Sequence, residues 1–387
     1  MKLTVPRGEL WRGIDTVLDA VPSKPALPIL SNLLLAAEPG ELCLAATDLD
    51  LSIRTRVPAS VEEPGSITVP ARTLAEIARE WPEADVWMES TGERLRLGGS
   101  LGDGEGGEGA YGLSGLSADD FPPMPESHGG VTVRLEGLTG LDSNAVSQMI
   151  NKTAFAVARD DARPMLAGVL WRVEAGGMGM VATDGHRFAH CFRRVDLSEH
   201  LSGPGAEVIV PPRALAQVVK LVADAQQLRQ AVLGDNQVMF DLGQTQLWSR
   251  LIEGPYVDYA PVIPRNNDRH LRMAVDQVLP AVRRVSILSS AYTHQVRLKL
   301  SPNRAELSAS SPEIGGEARE VIPVSYTREE LEIGYNAQYL LEILRRMNAQ
   351  EVIFELSNQV TAAVLRPAEQ TEGEDYFCLL MPLRPSG

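Results

Sequence analysis

The chain has 387 residues, of which 44% are hydrophobic, so it is too long for one core and apolar enough to bury several. Its 36 basic and 51 acidic side chains leave a net charge of −15, which argues against indiscriminate nucleic-acid binding but not against a molecule that gathers its few cations on one inner face. No apolar run approaches the ~20 residues of a membrane helix, Met1-Lys2-Leu3-Thr4-Val5-Pro6 reads as a strand rather than a signal peptide, and the distant Cys43, Cys191 and Cys378 read as reduced thiols of a cytoplasmic protein.

The predicted elements form a block that recurs about every 130 to 140 residues, a period too long for a solenoid and right for a domain. In the first copy, Leu10, Trp11, Ile14, Val17 and Leu18 mark an amphipathic helix, and a strand covers residues 29–35. The string Ala46-Thr47-Asp48 follows, then a strand that runs into a helix through Thr68-Val69-Pro70-Ala71-Arg72. That helix carries an apolar stripe of Leu74, Ile77, Ala78 and Trp81 and a polar line of Arg72, Glu76 and Arg79. Residues 100–108 are glycine-rich and acidic and predict a mobile hairpin loop without the signature of a phosphate or calcium loop. The proline-rich segment 119–125 closes the copy.

The second copy repeats the plan. Its first helix is marked by Val146, Ile150, Ala154 and Val157, a strand covers 169–173, and the string returns as Ala182-Thr183-Asp184. Val208-Ile209-Val210-Pro211-Pro212-Arg213 leads into a helix with Leu215, Val218, Val219 and Val222 on one side and Arg213, Gln217 and Lys220 on the other. Residues 254–264 form the next junction. The third copy is more diverged: a helix with Val278, Leu279, Val282 and Val285, a strand over 296–300, and Ile333-Gly334-Tyr335-Asn336 leading into a helix with Leu340, Ile343, Leu344 and Met347. Its polar line is Gln338, Glu342 and Arg345, with Arg346 adjacent. The first helices carry Arg12, Lys152, Arg283 and Arg284 on their polar faces. A polar stripe ending in a cation thus occurs in three copies; the plain reading is a solvated face, and the repetition is what favours a shared cationic surface. The copies are therefore expected to be α+β domains with boundaries at 1–126, 127–255 and 256–387.

Catalytic constellations are sparse. Alternation puts His186, Phe188 and His190 on one face, where two histidines could share a metal, but no third ligand stands nearby and no metal or cofactor is expected. The chain has no H-E-x-x-H, Walker A or paired C-x-x-C pattern. Asp48, Asp50 and Asp184 read as turn caps. A hydrolase built on Asp184 and His186 is the enzymatic alternative, which turnover abolished by Asp184→Asn would support; the missing constellation favours a scaffold with no catalytic residues.

The ordered strings resemble a known family. Residues 27–35, Ala46-Thr47-Asp48-Leu49, 68–72, Val181-Ala182-Thr183-Asp184-Gly185-His186-Arg187, 208–211, 332–336 and Met381-Pro382-Leu383-Arg384 together look like the bacterial sliding clamp, the β subunit of the replicative DNA polymerase. The resemblance implies three tandem clamp domains and a head-to-tail homodimeric ring around double-stranded DNA, held without regard to sequence. The implied partners are DNA polymerase subunits, the clamp loader, repair polymerases and other proteins with a clamp-binding motif, and no membrane. A specialised paralogue serving repair or inhibitor resistance is the alternative within the family.

Carried over by segment, the peptide pocket would use Leu166, Thr183, Gly185, His186, Arg187, Phe188, Val257, Val262, Asn336, Tyr339, Val360, Met381, Pro382, Leu383 and Arg384, with Arg187 and Arg384 holding polar groups at the rim. Lys24, Arg72, Arg79, Arg213, Lys220, Arg345 and Arg346 would face DNA, with a solvated cation the plain reading of each. Tyr111 and Leu113 of one chain would pack on Ile287 and Leu288 of the other, and Glu108 is expected to pair with Arg319 across that seam. The chain departs from the family at Pro261, at Thr293 beside Tyr292, and at Pro164 and Met165, which bears on the motif preferred by the pocket.

Overall fold

The computed structural model describes the chain except residues 102–106, 127–128, 161, 225 and 385–387. The hairpin loop expected over 100–108 lies largely outside the described residues; at its base the Leu101 N–H donates to the Gly107 carbonyl at 2.8 Å.

The order of elements confirms the repeat. The first copy runs β1 (Lys2–Pro6), α1 (Arg7–Leu18), β2 (Asn32–Glu38), β3 (Glu41–Thr47), β4 (Leu51–Pro58), β5 (Ser60–Glu63), β6 (Gly65–Pro70), α2 (Ala71–Glu80), β7 (Asp85–Thr91), β8 (Arg94–Ser100) and β9 (Glu108–Ser114). The second runs β10 (Val131–Arg134), α3 (Ser143–Thr153), β11 (Val169–Glu174), β12 (Gly177–Thr183), β13 (Arg187–Arg194), β14 (Ala206–Val210), α4 (Pro212–Ala223), β15 (Gln230–Leu233), β16 (Gln237–Asp241) and β17 (Thr245–Arg250). The third runs β18 (Arg269–Ala274), α5 (Val275–Val285), β19 (Gln295–Ser301), β20 (Arg304–Ser311), β21 (Gly316–Pro323), β22 (Leu331–Asn336), α6 (Ala337–Leu344), β23 (Glu351–Leu356), β24 (Ala363–Pro367) and β25 (Glu374–Leu380).

These elements pack as two compact units, residues 1–138 with 213–251, and residues 139–212 with 252–387. Strand pairing explains the division. In the first unit β17 pairs antiparallel with β4, with Leu247 opposite Ile53, and this joins two half-sheets into the order β10-β15-β16-β17-β4-β3-β2-β6. In the second unit β13 pairs with β25, with Ala189 opposite Cys378, giving β14-β11-β12-β13-β25-β24-β23-β18. The middle copy thus lends strands to both neighbours, so packing runs across the sequence junctions near 126 and 255. Each unit also has a smaller sheet: β5-β1-β7-β8-β9 in the first and β21-β20-β19-β22 in the second.

Helices form where the apolar spacing places them. In α1, Leu10, Ile14 and Val17 are buried, and in α2 Leu74 and Ala78 are buried while Arg72, Glu76 and Arg79 face solvent. Caps fix the starts of α3 and α6: Asp142 accepts from the Ala145 N–H at 2.8 Å, and Asn336 accepts from the Gln338 and Tyr339 N–H groups at 2.9 and 3.3 Å. Helix α6 ends at Leu344, so Arg345 is its C-cap and Arg346 lies beyond it. On α3 the expectation for Lys152 fails. It is buried and ion-paired with Glu374, not on a solvated face.

The Thr-Asp string proves to be a turn built the same way in both copies. Thr47 Oγ1 accepts from the Leu49 N–H at 3.0 Å, and Thr183 Oγ1 accepts from the Gly185 N–H at 3.1 Å. Asp48 Oδ1 accepts from the N–H groups of Asp50 and Leu51, and Asp184 Oδ1 from those of His186 and Arg187. Asp48 and Asp184 are therefore turn caps as expected, whereas Asp50 meets Arg250, accepting from its N–H at 2.8 Å and standing 3.9 Å from its guanidinium. The residue after each aspartate has positive φ, 88° at Gly185 but 81° at Leu49. A leucine there carries about 1–2 kcal/mol of strain, offset in part by the roughly 0.5–1 kcal/mol of extra chain entropy a glycine would lose on folding. Leu49→Gly is expected to raise stability by about 0–1 kcal/mol, read as a higher urea midpoint at unchanged slope; a clear loss of stability would show that the half-exposed leucine side chain matters more than its backbone.

Candidate functional site

The cleft that the second unit presents is built at the end of the β13–β25 pairing. The turn Pro164–Ala167 supplies Leu166, β12 ends in Thr183, the turn brings Gly185 and His186, and β13 begins with Arg187 and Phe188. The loop before β18 contributes Val257, Asp258, Tyr259 and Val262, and the end of β25 contributes Leu379 and Met381. Together with Arg163 they enclose about 200 Å³ of cavity volume. Its floor continues the buried cluster of Leu170, Val181, Phe188, Phe377 and Leu379, and Tyr259 packs on Phe188 with ring centroids 5.4 Å apart. Val257, Val262 and Met381 are exposed around it, so an apolar ligand would meet side chains already facing solvent.

Polar groups around the cleft are committed to holding its shape. Arg187 is 4% exposed. Its Nε bonds Asp184 Oδ2 at 3.0 Å, Nη1 pairs with Glu342, Nη2 donates to the Phe155 carbonyl at 2.7 Å, and the guanidinium lies 4.5 Å from the Tyr339 ring centre. The role expected for Arg187, a rim group that holds ligand, is corrected: its donors are spent on α6 and the turn, and it acts as a brace. Arg163 steadies the same turn through the Asp184 carbonyl at 2.8 Å. The terminal segment is tied down as well, with the Met381 N–H donating to the His186 carbonyl at 2.9 Å and the Leu383 N–H to the Gly334 carbonyl at 2.8 Å. Burial pushes the Tyr256 and Tyr259 phenols up, so both stay neutral.

Of the carried-over pocket residues, Leu166, Thr183, Gly185, His186, Arg187, Phe188, Val257, Val262 and Met381 meet in this cleft. Tyr339 lines an adjoining cleft of about 450 Å³ with Val157, Arg159, Asp160, Gln338 and Glu342, which shares His186 and Arg187. Asn336 is the cap of α6, and Pro382, Leu383 and Arg384 are absent from the lining of either cleft. Val360 is 66% exposed in a turn organised by Asn358 and is absent from the lining of the cleft. Leu379 supplies an aliphatic wall there. Strand alternation could have found it, since it stands two residues before Met381. Arg163, Asp258 and Tyr259 were also missed. Among the departures, Pro261 sits in the helical turn Ala260–Val262, Met165 packs on the buried cluster and Tyr292 is 87% exposed.

His190 stacks on Phe188 at 6.5 Å and burial lowers its pKa, while His186 stacks on Tyr339 at 6.4 Å, so the two histidines look toward different neighbours. Among the described residues no cluster of three metal-ligating side chains occurs. The three cysteines are free and buried, and burial pushes the Cys191 and Cys378 thiols up to about 12.

The remaining candidates are placed as follows. Lys24, Arg72, Arg79, Arg345 and Arg346 are exposed, with Arg79 3.5 Å from Glu80. Arg213 and Lys220 are engaged: Arg213 pairs with Asp48, and Lys220 with Asp19 at 2.9 Å and Asp15 at 3.4 Å. Tyr111 is half-exposed on β9, the outer strand of its sheet, and packs edge-on to Trp81 at 5.4 Å. Ile287 is 73% exposed, and Leu288 packs beside β21, the outer strand of the other small sheet. Arg319 already holds Glu306 at 2.5 Å within the chain.

Family models for the N-terminal, central and C-terminal domains of the DNA polymerase III beta subunit match residues 1–125, 140–258 and 260–384. The chain belongs to the DNA polymerase III beta subunit family. It is 32% identical to the beta sliding clamp of Escherichia coli K12 over 386 residues, covering 99% of this chain and all of that one, and 35% identical to that of Caulobacter vibrioides over 391 residues with the same coverage. The crystal structure of the DNA polymerase III subunit beta from Pseudomonas aeruginosa superposes with a TM-score of 0.89 at 31% identity over the whole of both chains. The chain is thus a sliding clamp of three tandem clamp domains, a processivity subunit rather than a catalyst.

Proposed function

We propose that two copies close head to tail into a ring around duplex DNA, and that the cleft at Leu166, Phe188, Val262, Leu379 and Met381 docks short apolar motifs of polymerase subunits, the clamp loader, repair polymerases and other clamp-motif proteins. Domain boundaries at 126 and 255 and action in the cytoplasm belong to the same reading; no helix among the described residues is long and apolar enough to cross a membrane.

The observation that carries it is a pair of unlike sheet edges. One edge, β9, presents Tyr111 and Leu113; the other, β21, lies beside Leu288 and the exposed Ile287. Open edges invite pairing with another chain, and two unlike edges on one protomer make a heterologous contact, which forms a ring when its rotation closes. Cations facing the bore would touch phosphates without reading bases, so the ring can slide. Arg319 is engaged by Glu306, so a Glu108–Arg319 pair would require it to change partners, and exposed ion pairs are worth only about 0–1 kcal/mol. Closure rests on the apolar contact.

Molar mass across a dilution series, with and without nicked circular DNA, tests this. A dimer retained on nicked circles and released after linearisation is expected, and Ile287→Asp should shift dissociation to at least tenfold higher concentration, a cost of about 1.4 kcal/mol or more. A monomer at every concentration, or equal retention on linear DNA, would end the ring reading. Pro261 and Thr293 favour a second reading, a specialised paralogue, which weak binding of replicative polymerase peptides beside strong binding by a coexisting clamp would support.

A further inference from the structure

The helix expected to face the duplex in the middle copy does not hold its cations free. Lys220 projects from α4 between two carboxylates at the end of α1, that of Asp15 at 3.4 Å and that of Asp19, the C-cap residue, at 2.9 Å. Arg213, two turns earlier on the same helix, pairs with Asp48 and donates to the Asp19 carbonyl at 2.7 Å. On α2 the arrangement differs: Arg72 has no ion-pair partner among the described residues, and Arg79 meets only its neighbour Glu80 at 3.5 Å. The Lys220 ammonium would be lowered by its partial burial, and the Asp19 and Asp15 carboxylates more than offset this, leaving its pKa raised. The three groups of the Lys220 cluster remain within reach of solvent, with the side chains of Lys220, Asp15 and Asp19 36%, 45% and 44% exposed.

We infer that Asp15 and Asp19 act as built-in counter-ions for Lys220, so that a duplex phosphate gains this cation only by displacing them. The inference rests on the reading that α4 faces DNA. A free lysine that meets phosphate releases a condensed counter-ion and steepens the salt dependence of binding; a lysine already paired exchanges one anion for another and adds little. The two carboxylates also repel the approaching backbone. A contact that forms and breaks at little net cost suits a ring that is retained by enclosure and must translocate.

The test is binding of a linear random-sequence duplex, measured by fluorescence anisotropy between 50 and 200 mM salt, for the full chain, for Asp15→Asn/Asp19→Asn, and for that double variant with Lys220→Gln added. Freeing Lys220 should steepen the slope of log K against log salt by about 0.9 for each lysine that reaches phosphate, an extra fall of about 3.5-fold across this range. The added Lys220→Gln should restore the original slope. If the double variant melts early, Asp15→Asn alone is read the same way with a smaller change. A folded double variant with the original slope overturns the inference, since the acids would then only dock α1 on α4; so does a steep slope that survives Lys220→Gln. Failure of the unaltered chain to be retained on nicked circular DNA would instead fail the sliding reading itself.

Discussion

Glu374→Ala should destabilise the unit formed by residues 139–212 and 252–387 by about 3–5 kcal/mol, the cost of breaking a buried ionic cluster from one side. Glu374 enters from β25 with its side chain 2% exposed. It pairs with Lys152 of α3 and lies 2.8 Å from the Arg193 guanidinium of β13, partners that are 10% and 8% exposed. The Lys152 ammonium also stands 5.0 Å from the centre of the Tyr376 ring. Removing the carboxylate strands two cations that have no other acid partner among the described residues, and desolvation is then uncompensated. Hydrogen exchange of the β13 and β25 amides would report the loss as roughly a hundredfold or greater fall in protection. Replacing the whole cluster, Lys152→Met with Arg193→Met and Glu374→Leu, is expected to be near neutral or stabilising, because the buried pair itself is weak evidence of net stability. If Glu374→Ala lay within about 1 kcal/mol of the unaltered chain, water must reach the cluster and the burial argument would fail.

That cluster also marks where the sequence stopped being legible. Helical periodicity located α3 and its apolar face, but Lys152 falls at a position that periodicity assigns to solvent. Its partner is 222 residues away, and no local pattern reports such a contact. Arg187 failed for a related reason: as a cation beside an exposed turn it reads as a ligand group, and only the approach of Glu342, 155 residues on, reveals it as a brace. By contrast the Thr-Asp turns were readable, since the hydrogen bonds from Thr and Asp that shape each turn stay within five residues and the same string appears in both copies. The sharing of the middle copy between two sheets was hidden because β4, β13 and β25 are largely buried along their length, which carries no mark of the strand each one pairs with. Such strands say that they are interior without naming the neighbour. Val360 and Leu379 show the finer limit: both are aliphatic residues before the terminal Met-Pro-Leu-Arg string, and strand alternation counted back from Met381 selects the second.

Val262→Asp is expected to weaken binding of a synthetic peptide with adjacent Leu and Phe anchors by about 30-fold, roughly 2 kcal/mol, the scale of a hot-spot residue in a desolvated pocket. Val262 is 57% exposed in the free chain, so a carboxylate there stays hydrated until the peptide covers it, and folding should be unchanged. On binding, the same carboxylate would be enclosed against the apolar Leu166, Phe188 and Leu379, while Arg187 is committed to Asp184 and Glu342 and Arg163 holds the Asp184 carbonyl. Val360→Asp is the matched comparison: Val360 is 66% exposed and lies outside the cleft lining, so the substitution should leave peptide affinity within about twofold. Fluorescence anisotropy with a labelled peptide, alongside thermal melts of both variants, separates lost contact from lost fold. Equal weakening by the two substitutions would mean that the ligand runs over the Asn358 turn and that the cleft is not its anchor. No weakening by Val262→Asp would mean that the anchors seat deeper, against Leu379 and Phe188 alone, leaving the loop before β18 as a rim that touches nothing.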